Sequence, residues 1–135
     1  MRCSHCGICC EKTEMLLAEA DIKCLEKAGY TRKKFVCYDK KSFAKLQNHR
    51  GYCVFYDTEK RRCKVYEYRP VGCRVYPVIY SIEEGVIIDD LCPMKNTVST
   101  TELKRKGKGV MKLLQKIDEE AKTRVFHTKP TNNLK

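Results

Sequence analysis

The N-terminus carries an unusually dense group of thiols. Cys3, Cys6, Cys9 and Cys10 all lie within the first ten residues. Two residues separate Cys3 from Cys6 and Cys6 from Cys9, and Cys10 follows Cys9 directly. Packing alone rarely places four thiols in so short a stretch, whereas close and regular spacing lets thiolates converge on a metal. The array therefore predicts a chain that folds around bound metal.

The composition indicates a soluble chain. Of its 135 residues, 33% are charged and 42% belong to the hydrophobic set, enough for one domain with a modest core. No run approaches the roughly 18 apolar residues of a membrane span, and the N-terminus has no apolar signal region. We therefore expect a cytoplasmic protein without a membrane partner. In that reducing compartment the cysteines should be ligands or buried thiols before disulfides.

The chain is strongly basic, with a formal net charge of +11 and a pI near 9.2. Such a charge indicates an acidic partner, either nucleic acid or the acidic surface of another protein. A solvated basic surface that only aids solubility is the plainer alternative. Metal-bound thiolates would add negative charge, so the sequence charge overstates how basic the folded core is.

The hydrophobic pattern predicts an α+β fold. We expect a small, metal-organised, cysteine-rich domain with short strands, one N-terminal helix and a long C-terminal amphipathic helix. The N-terminal helix should cover residues 18–28, after an extended stretch at 11–17, and Gly29 suits its end. Arg69-Pro70 indicates a turn. Short strands are expected at 43–47, 53–56, 75–81 and 86–88.

The clearest helix covers residues 101–122, and Thr100 or Thr101 is expected to cap it. Residues 123–135 contain Pro130 and show no helical periodicity of apolar residues, so we expect an irregular tail there. This gives a metal-binding domain at 1–95 and a basic helix with its tail at 96–135. Residues 101–135 hold ten Lys and Arg against four acids.

Four further cysteines lie far apart in the chain. Nine, nine and eighteen residues separate Cys53, Cys63, Cys73 and Cys92 in turn, so only the fold can bring them together. An iron–sulfur cluster, most simply 4Fe-4S, fits the N-terminal spacing and the distant Cys92-Pro93. Zinc, held by four tetrahedral ligands at one or two sites, fits the same residues. The two metals remain open at this point.

Three other residues are weaker candidates for metal ligands. Cys24 lies within the predicted N-terminal helix and is expected to be a buried thiol. Cys37 has no clear assignment. His5 lies between two cysteines of the array and is expected to point outward more often than to bind metal.

With these motifs, the chain resembles the YkgJ-like cysteine-cluster family, a zinc- or iron-chelating domain. The resemblance rests on the N-terminal array, on 51–55, on the run from Cys63 to Pro77 and on Cys92-Pro93, and it covers about residues 1–95. Cys24 and Cys37 lie outside the pattern. Similar domains carry iron–sulfur clusters in flagellin lysine methylase-like proteins, but this chain lacks the rest of such a protein. The metal-binding set that the resemblance implies is Cys3, Cys6, Cys9, Cys10, Cys53, Cys63, Cys73 and Cys92.

Two arginines flank one of these cysteines, in the motif Arg69-Pro70-x2-Cys73-Arg74. Either guanidinium could donate to thiolate sulfur or offset the charge of a cluster, which would tune its potential. The alternative is that they pair with nearby acids such as Glu67 and Asp90.

The first functional hypothesis is an accessory protein that binds metal or a cluster for redox chemistry or metal delivery. The second is a small basic protein, stapled by metal, that binds RNA or a ribonucleoprotein such as the ribosome. Catalysis is the weakest hypothesis, because the chain has no nucleotide-binding glycine loop and no plausible Ser/His/Asp set. The nucleic-acid-binding candidates are Arg61, Arg62, Lys64, Lys104, Arg105, Lys106, Lys108 and Lys112.

Overall fold

The structure is a computed structural model that describes the backbone of residues 10–133 and the side chains of residues 10–125. It confirms the α+β class, with short antiparallel strand pairs between an N-terminal helix and a long C-terminal one. The helices are α1 (Glu19–Lys27), α2 (Arg32–Phe35), α3 (Val71–Val75) and α4 (Thr100–Asn133). The strands are β1 (Val36–Tyr38), β2 (Ala44–Leu46), β3 (Asn48–His49), β4 (Tyr52–Cys53), β5 (Tyr56–Asp57), β6 (Arg62–Cys63), β7 (Val78–Ser81) and β8 (Gly85–Ile88).

The first helix lies where the sequence pattern places it. Asp21, in its first turn, accepts a hydrogen bond from the backbone N–H of Ala18 at 3.1 Å, which is one half of a capping box. Ile22 and Leu25 are fully buried on its inner face. The prediction that Cys24 is buried is wrong, because this side chain falls on the solvent face of the helix.

The strands pair as four separate antiparallel hairpins, β1 with β2, β3 with β4, β5 with β6 and β7 with β8. The turn between β3 and β4 contains Gly51, whose φ of 86° suits glycine. The segments expected as strands at 43–47 and 53–56 meet only at their inner ends, where the N–H of Val54 donates to the carbonyl of Gln47 at 2.9 Å. Ala44–Leu46 pairs back onto Val36–Tyr38, since the amide of Gln47 donates to the carbonyl of Val36 at 2.6 Å and fastens that edge.

The region after Pro70 also differs from its prediction. Residues 71–75 are helical, so the predicted strand at 75–81 begins only at Val78. The carboxylate of Asp21 accepts a hydrogen bond from the N–H of Val71 at 3.1 Å, and this satisfies a donor at the start of α3. A cis peptide bond precedes Pro77, between the helix and the strand.

Helix α4 is longer than predicted, because residues 123–133 continue it where a tail was expected. Ser99, rather than Thr100 or Thr101, caps it: its Oγ accepts from the N–H of Glu102 at 3.0 Å. Arg124 fastens the helix to the N-terminal half, donating to Glu19 at 2.7 Å and to the carbonyl of Ser42 at 2.8 Å.

The inner face of α4 packs on α3, β7 and β8. Its two glycines face these elements. A Cβ at Gly107 would lie 3.1 Å from Cγ1 of Val86, and one at Gly109 would lie 3.6 Å from Cγ1 of Val75. The close approach of helix to hairpin therefore depends most on Gly107.

The main hydrophobic cluster lies in the N-terminal half. It joins α1 to the first three hairpins through buried side chains, with Leu17, Phe35 and Phe55 among them. In the part of the chain that the structure describes, no helix is long and apolar enough to cross a bilayer.

Candidate metal centre

Cys3, Cys6, Cys9 and His5 lie outside the described residues, so the site is described from Cys10 onward. Cys10 is half-buried, and the segment predicted as extended at 11–17 contains a turn at Lys12, with φ 44°, and two isolated β-bridges, Glu11 with Tyr52 and Leu16 with Lys45. Glu11 pairs with Tyr52, and the N–H of Lys12 donates to the carbonyl of Gly51 at 2.7 Å. This pairing sets the segment that contains Cys10 beside the strand that contains Cys53.

A side-chain amide strengthens the same junction. Asn48 accepts from the N–H of Thr13 and donates to its carbonyl, each at 2.9 Å. Thr13 is 7% exposed whereas Asn48 is exposed, so both bonds are partly shielded from water. The sequence gives no special signal for Asn48, which reads there only as part of a turn.

Cys53 and Cys63 lie on neighbouring hairpins. Cys53 ends β4 and is 6% exposed within the main hydrophobic cluster. Cys63 ends β6, pairs with Tyr56 across the hairpin and is half-buried against the same cluster. The N–H of Lys64 donates to the carbonyl of Phe55 at 2.7 Å, which links the residues that follow the two cysteines.

Cys73 lies on α3, which contacts the N-terminal segment closely. A Cβ at Gly72 would clash with Sδ of Met15, so any larger residue there would require the side chain of Met15 to move. Cys73 is half-buried and packs, like Met15, against the main cluster. The bond from Val71 to Asp21 holds this helix at its other side.

Cys92 lies in a turn organised by Asp89. The hydroxyl of Tyr76 donates to Oδ2 of Asp89 at 2.6 Å, and the N–H of Leu91 donates to Oδ1 at 3.0 Å. The N–H of Cys92 itself donates to the carbonyl of Asp89 at 3.2 Å. Because Tyr76 directly follows α3, this carboxylate ties the turn of Cys92, which is 6% exposed, to the helix of Cys73.

Burial separates two classes of cysteine. The five described cysteines of the family pattern are buried or half-buried, whereas Cys24 and Cys37 are exposed. Cys10, Cys53, Cys63 and Cys73 share the main hydrophobic cluster, and Cys92 is buried apart from it. No disulfide joins two described cysteines, and residues 10–125 by themselves contain no group of three metal-binding side chains.

The arginines beside Cys73 have different surroundings. The guanidinium of Arg69 donates to the carbonyl of Tyr66 at 2.9 Å and lies 3.8 Å above the ring of that tyrosine. Arg74 is exposed in the last turn of α3. Asp90, its suggested partner, pairs with Lys95 at 3.7 Å. A contact of either arginine with thiolate sulfur stays a prediction.

The basic candidates for nucleic-acid binding differ in exposure and in ion pairing. Lys106 has a side chain only 14% exposed and pairs with Glu102 at 2.8 Å, and its hydrogen bond is the largest of several interactions that together lower the pKa of Glu102 to about 2. The remaining seven candidates are exposed: Arg61, Arg62, Lys64, Lys104, Arg105, Lys108 and Lys112.

The chain is 28% identical over 90 residues to an uncharacterized protein of Methanocaldococcus jannaschii, an alignment that covers 62% of this chain and 47% of that protein. The chain thus matches about half the length of this curated relative. No solved structure matches it. Residues 2–93 match the model of the CxxCxxCC family, described as "Putative zinc- or iron-chelating domain", and the chain belongs to that family.

Proposed function

We propose that this protein holds a metal centre on the thiolates of its family cysteines and serves as an accessory, non-catalytic protein in electron transfer or metal delivery in the cytoplasm. We assign the centre to residues 1–95, with 96–135 as a basic extension. The observation that carries the proposal is the selective burial of the pattern cysteines against one framework. The proposed ligands are Cys3, Cys6, Cys9, Cys10, Cys53, Cys63, Cys73 and Cys92.

The donor set suits a sulfur-rich centre. Thiolates bind iron–sulfur clusters and zinc, and no described cysteine of the set is fully exposed. Cys53 and Cys63 border apolar side chains such as Phe55 and Val65, an environment that limits solvent access and so affects potential. We favour a 4Fe-4S cluster over zinc, because three cysteines at two-residue intervals on one segment match cluster-binding sequences. A bound cluster would supply one-electron chemistry.

The test is anaerobic purification followed by analysis of iron, acid-labile sulfide and zinc, with a visible absorbance spectrum. The cluster assignment predicts iron and sulfide in equal amounts and a broad visible band. Stoichiometric zinc in a colourless protein would replace the cluster by zinc and keep the thiolate centre. A folded protein that contains neither metal would contradict the proposal.

Serine variants of pattern cysteines, compared with serine variants of cysteines outside the pattern, identify the ligands. Cys53→Ser and Cys73→Ser should lower the metal content and the stability together. Cys24→Ser and Cys37→Ser, which change exposed thiols outside the pattern, should leave both unchanged. Equal loss of metal from both pairs would contradict the assigned ligand set.

A second candidate function, RNA or ribosome binding, is favoured by the outer face of α4. Residues 103–117 contain six Lys and Arg and no acid. Lys106 is paired, and the other five cations of this stretch are exposed: Lys104, Arg105, Lys108, Lys112 and Lys116. Lysine-rich surfaces suit phosphate backbones better than protein interfaces, which are depleted in lysine.

The measurement for this candidate is the affinity for single-stranded RNA across a salt series. If all five cations contact phosphates, log K should fall with log salt with a slope of about −3.5. Lys108→Gln with Lys112→Gln should reduce that slope by about 1.4. Lys122→Gln, whose partner is Asp118, is the matched control. An affinity that does not depend on salt would rule this surface out.

A further inference from the structure

An open groove lies beside the β5–β6 hairpin, away from α4. Its volume is about 710 Å³, within the range of about 300–1,000 Å³ typical of small-molecule sites. Its wall includes the side chains of Lys60, Arg61, Arg62, Lys64, Tyr66 and Tyr68. The groove therefore combines a ligand-sized space with several cations and two aromatic rings.

The charges of the groove favour an anion. Four cations line it against two acids, Asp57 and Glu67. The Oδ1 of Asp57 accepts from the N–H groups of Glu59 at 3.0 Å and Lys60 at 3.1 Å, and these bonds hold the pKa of this carboxyl below its usual value. Asp57 is thus engaged in the turn of its own hairpin.

Asp57 attracts Lys60 and Lys64 electrostatically, but none of the four cations is held in a close ion pair with a described acid. Of the ion pairs described among residues 10–125, none includes Lys60, Arg61, Arg62 or Lys64. Clustered like charges repel one another, and a bound polyanion would relieve that repulsion through charge-assisted hydrogen bonds. Arginine in particular matches phosphate geometry with its planar fork.

The aromatic rings favour an anion that carries a flat ring able to stack on them. Tyr68 is 51% exposed at the groove, so its ring is available to a ligand. Tyr66 is held under the guanidinium of Arg69, 3.8 Å from its ring centroid. Stacking on an aromatic ring beside a basic track is the arrangement by which proteins bind single nucleotides of a strand.

We propose that this groove binds a nucleotide, with phosphate on Arg61, Arg62 and the adjacent lysines and with the base against Tyr68. The ligand is either a free nucleotide or one unit of a single-stranded RNA, since both present the same chemistry. Cys63, a proposed ligand of the thiolate centre, also lines this groove. The nucleotide would therefore bind next to that centre, and the metal content of every variant must be compared with its affinity.

The experiment measures binding of inorganic pyrophosphate, AMP and an eight-nucleotide single-stranded RNA to the metal-loaded protein by calorimetry. Arg61→Gln with Arg62→Gln should weaken pyrophosphate and AMP about tenfold or more. The matched control is Lys33→Gln with Lys34→Gln, which removes two exposed cations elsewhere and should have little effect. Equal weakening by both double variants, or no binding of any probe at millimolar concentration, would overturn the proposal.

A further variant tests the base contact. Tyr68→Ala should weaken AMP severalfold and leave pyrophosphate unchanged, because pyrophosphate has no base to stack. Equal effects on the two probes would overturn the stacking role. RNA that binds at least tenfold tighter than AMP identifies a strand as the ligand, and similar affinities identify a free nucleotide. Circular dichroism and metal content show whether each variant folds. If the arginine double variant does not fold, Lys60→Gln with Lys64→Gln tests the phosphate contacts in its place.

Discussion

The carboxylate of Asp21 accepts a hydrogen bond from the backbone N–H of Val71 at 3.1 Å, across 50 residues of sequence. Its other oxygen accepts from the N–H of Ala18 at 3.1 Å. Asp21 is 6% exposed, so one buried side chain caps α1 and also fixes the start of α3. Because α3 carries Cys73, this contact links the N-terminal helix to a predicted metal ligand.

Removing this carboxylate should destabilise the protein substantially. Asp21→Ala leaves two shielded N–H donors without their acceptor, which should lower the free energy of unfolding by about 2–3 kcal/mol or more. Asp21→Asn keeps one acceptor oxygen and should cost less. Urea denaturation of the metal-loaded protein measures both. Asp118→Ala, which breaks an exposed ion pair with Lys122, should cost under about 0.5 kcal/mol; a similar cost at Asp21 would contradict the linking role.

A methyl group at Gly72 should separate α3 from the N-terminal segment. The added Cβ would meet Sδ of Met15, so Gly72→Ala should cost about 1–3 kcal/mol by overpacking. The same change made together with Met15→Ala should cost less, because the clash is gone. A double-mutant cycle of unfolding free energies measures the coupling, and additive costs would show that Met15 is not the obstacle.

The two glycines of α4 should respond differently to alanine. Glycine to alanine in a helix gains about 1 kcal/mol of intrinsic stability. Gly109→Ala should realise most of that gain, since its Cβ would meet Val75 at an ordinary 3.6 Å. Gly107→Ala should gain less or lose, since Val86 at 3.1 Å must move. Thermal denaturation compares the pair, and equal shifts would contradict the close helix–hairpin contact.

Acid should weaken the Glu102–Lys106 pair in a defined window. The pKa of Glu102 is lowered from its usual 4.5 to about 2, and the hydrogen bond from Lys106 is the largest of several causes. A lowered carboxylate pKa contributes stability that is present above about pH 4.5 and is lost as the pH falls toward 2.

The difference in unfolding free energy between the unchanged protein and Glu102→Gln should therefore shrink between pH 4.5 and 2. The two proteins must be compared at equal metal content, because acid also protonates thiolate ligands. A difference that stays constant over this window would contradict the pairing.

Much of the architecture could be predicted from local pattern. The spacing of residues 18–28 and 101–122 predicts helices, and the pattern near 78–88 predicts two strands, and the structure has α1, α4 and the β7–β8 hairpin there. The cysteine motif was sufficient to indicate the family, and the family match covers residues 2–93. Each of these features is determined by residues that are close to one another in the sequence.

The predictions that were wrong concern burial, helix length and strand pairing, which depend on tertiary packing. Cys24 is exposed because the register of α1 is set by Ile22 and Leu25 against the core. Residues 123–133 are helical although their sequence has no period, and Arg124 contacts Glu19 and Ser42 beside the start of that stretch. Ala44–Leu46 pairs with β1 because Gln47 reaches the carbonyl of Val36. The contacts of Arg124 with Glu19 and Ser42 span more than 80 residues.

The sequence by itself determined the α+β class, the family and the set of cysteines to examine, because short-range periodicity and ligand spacing are encoded locally. Only the tertiary structure decided which of the described thiols are shielded and which segments hold them. Asn48 and Asp21 hold these segments through hydrogen bonds to the backbone of another segment, and Asp89 does so by accepting from the hydroxyl of Tyr76. Such bonds depend on where the chain returns in space, and no spacing in the sequence records that.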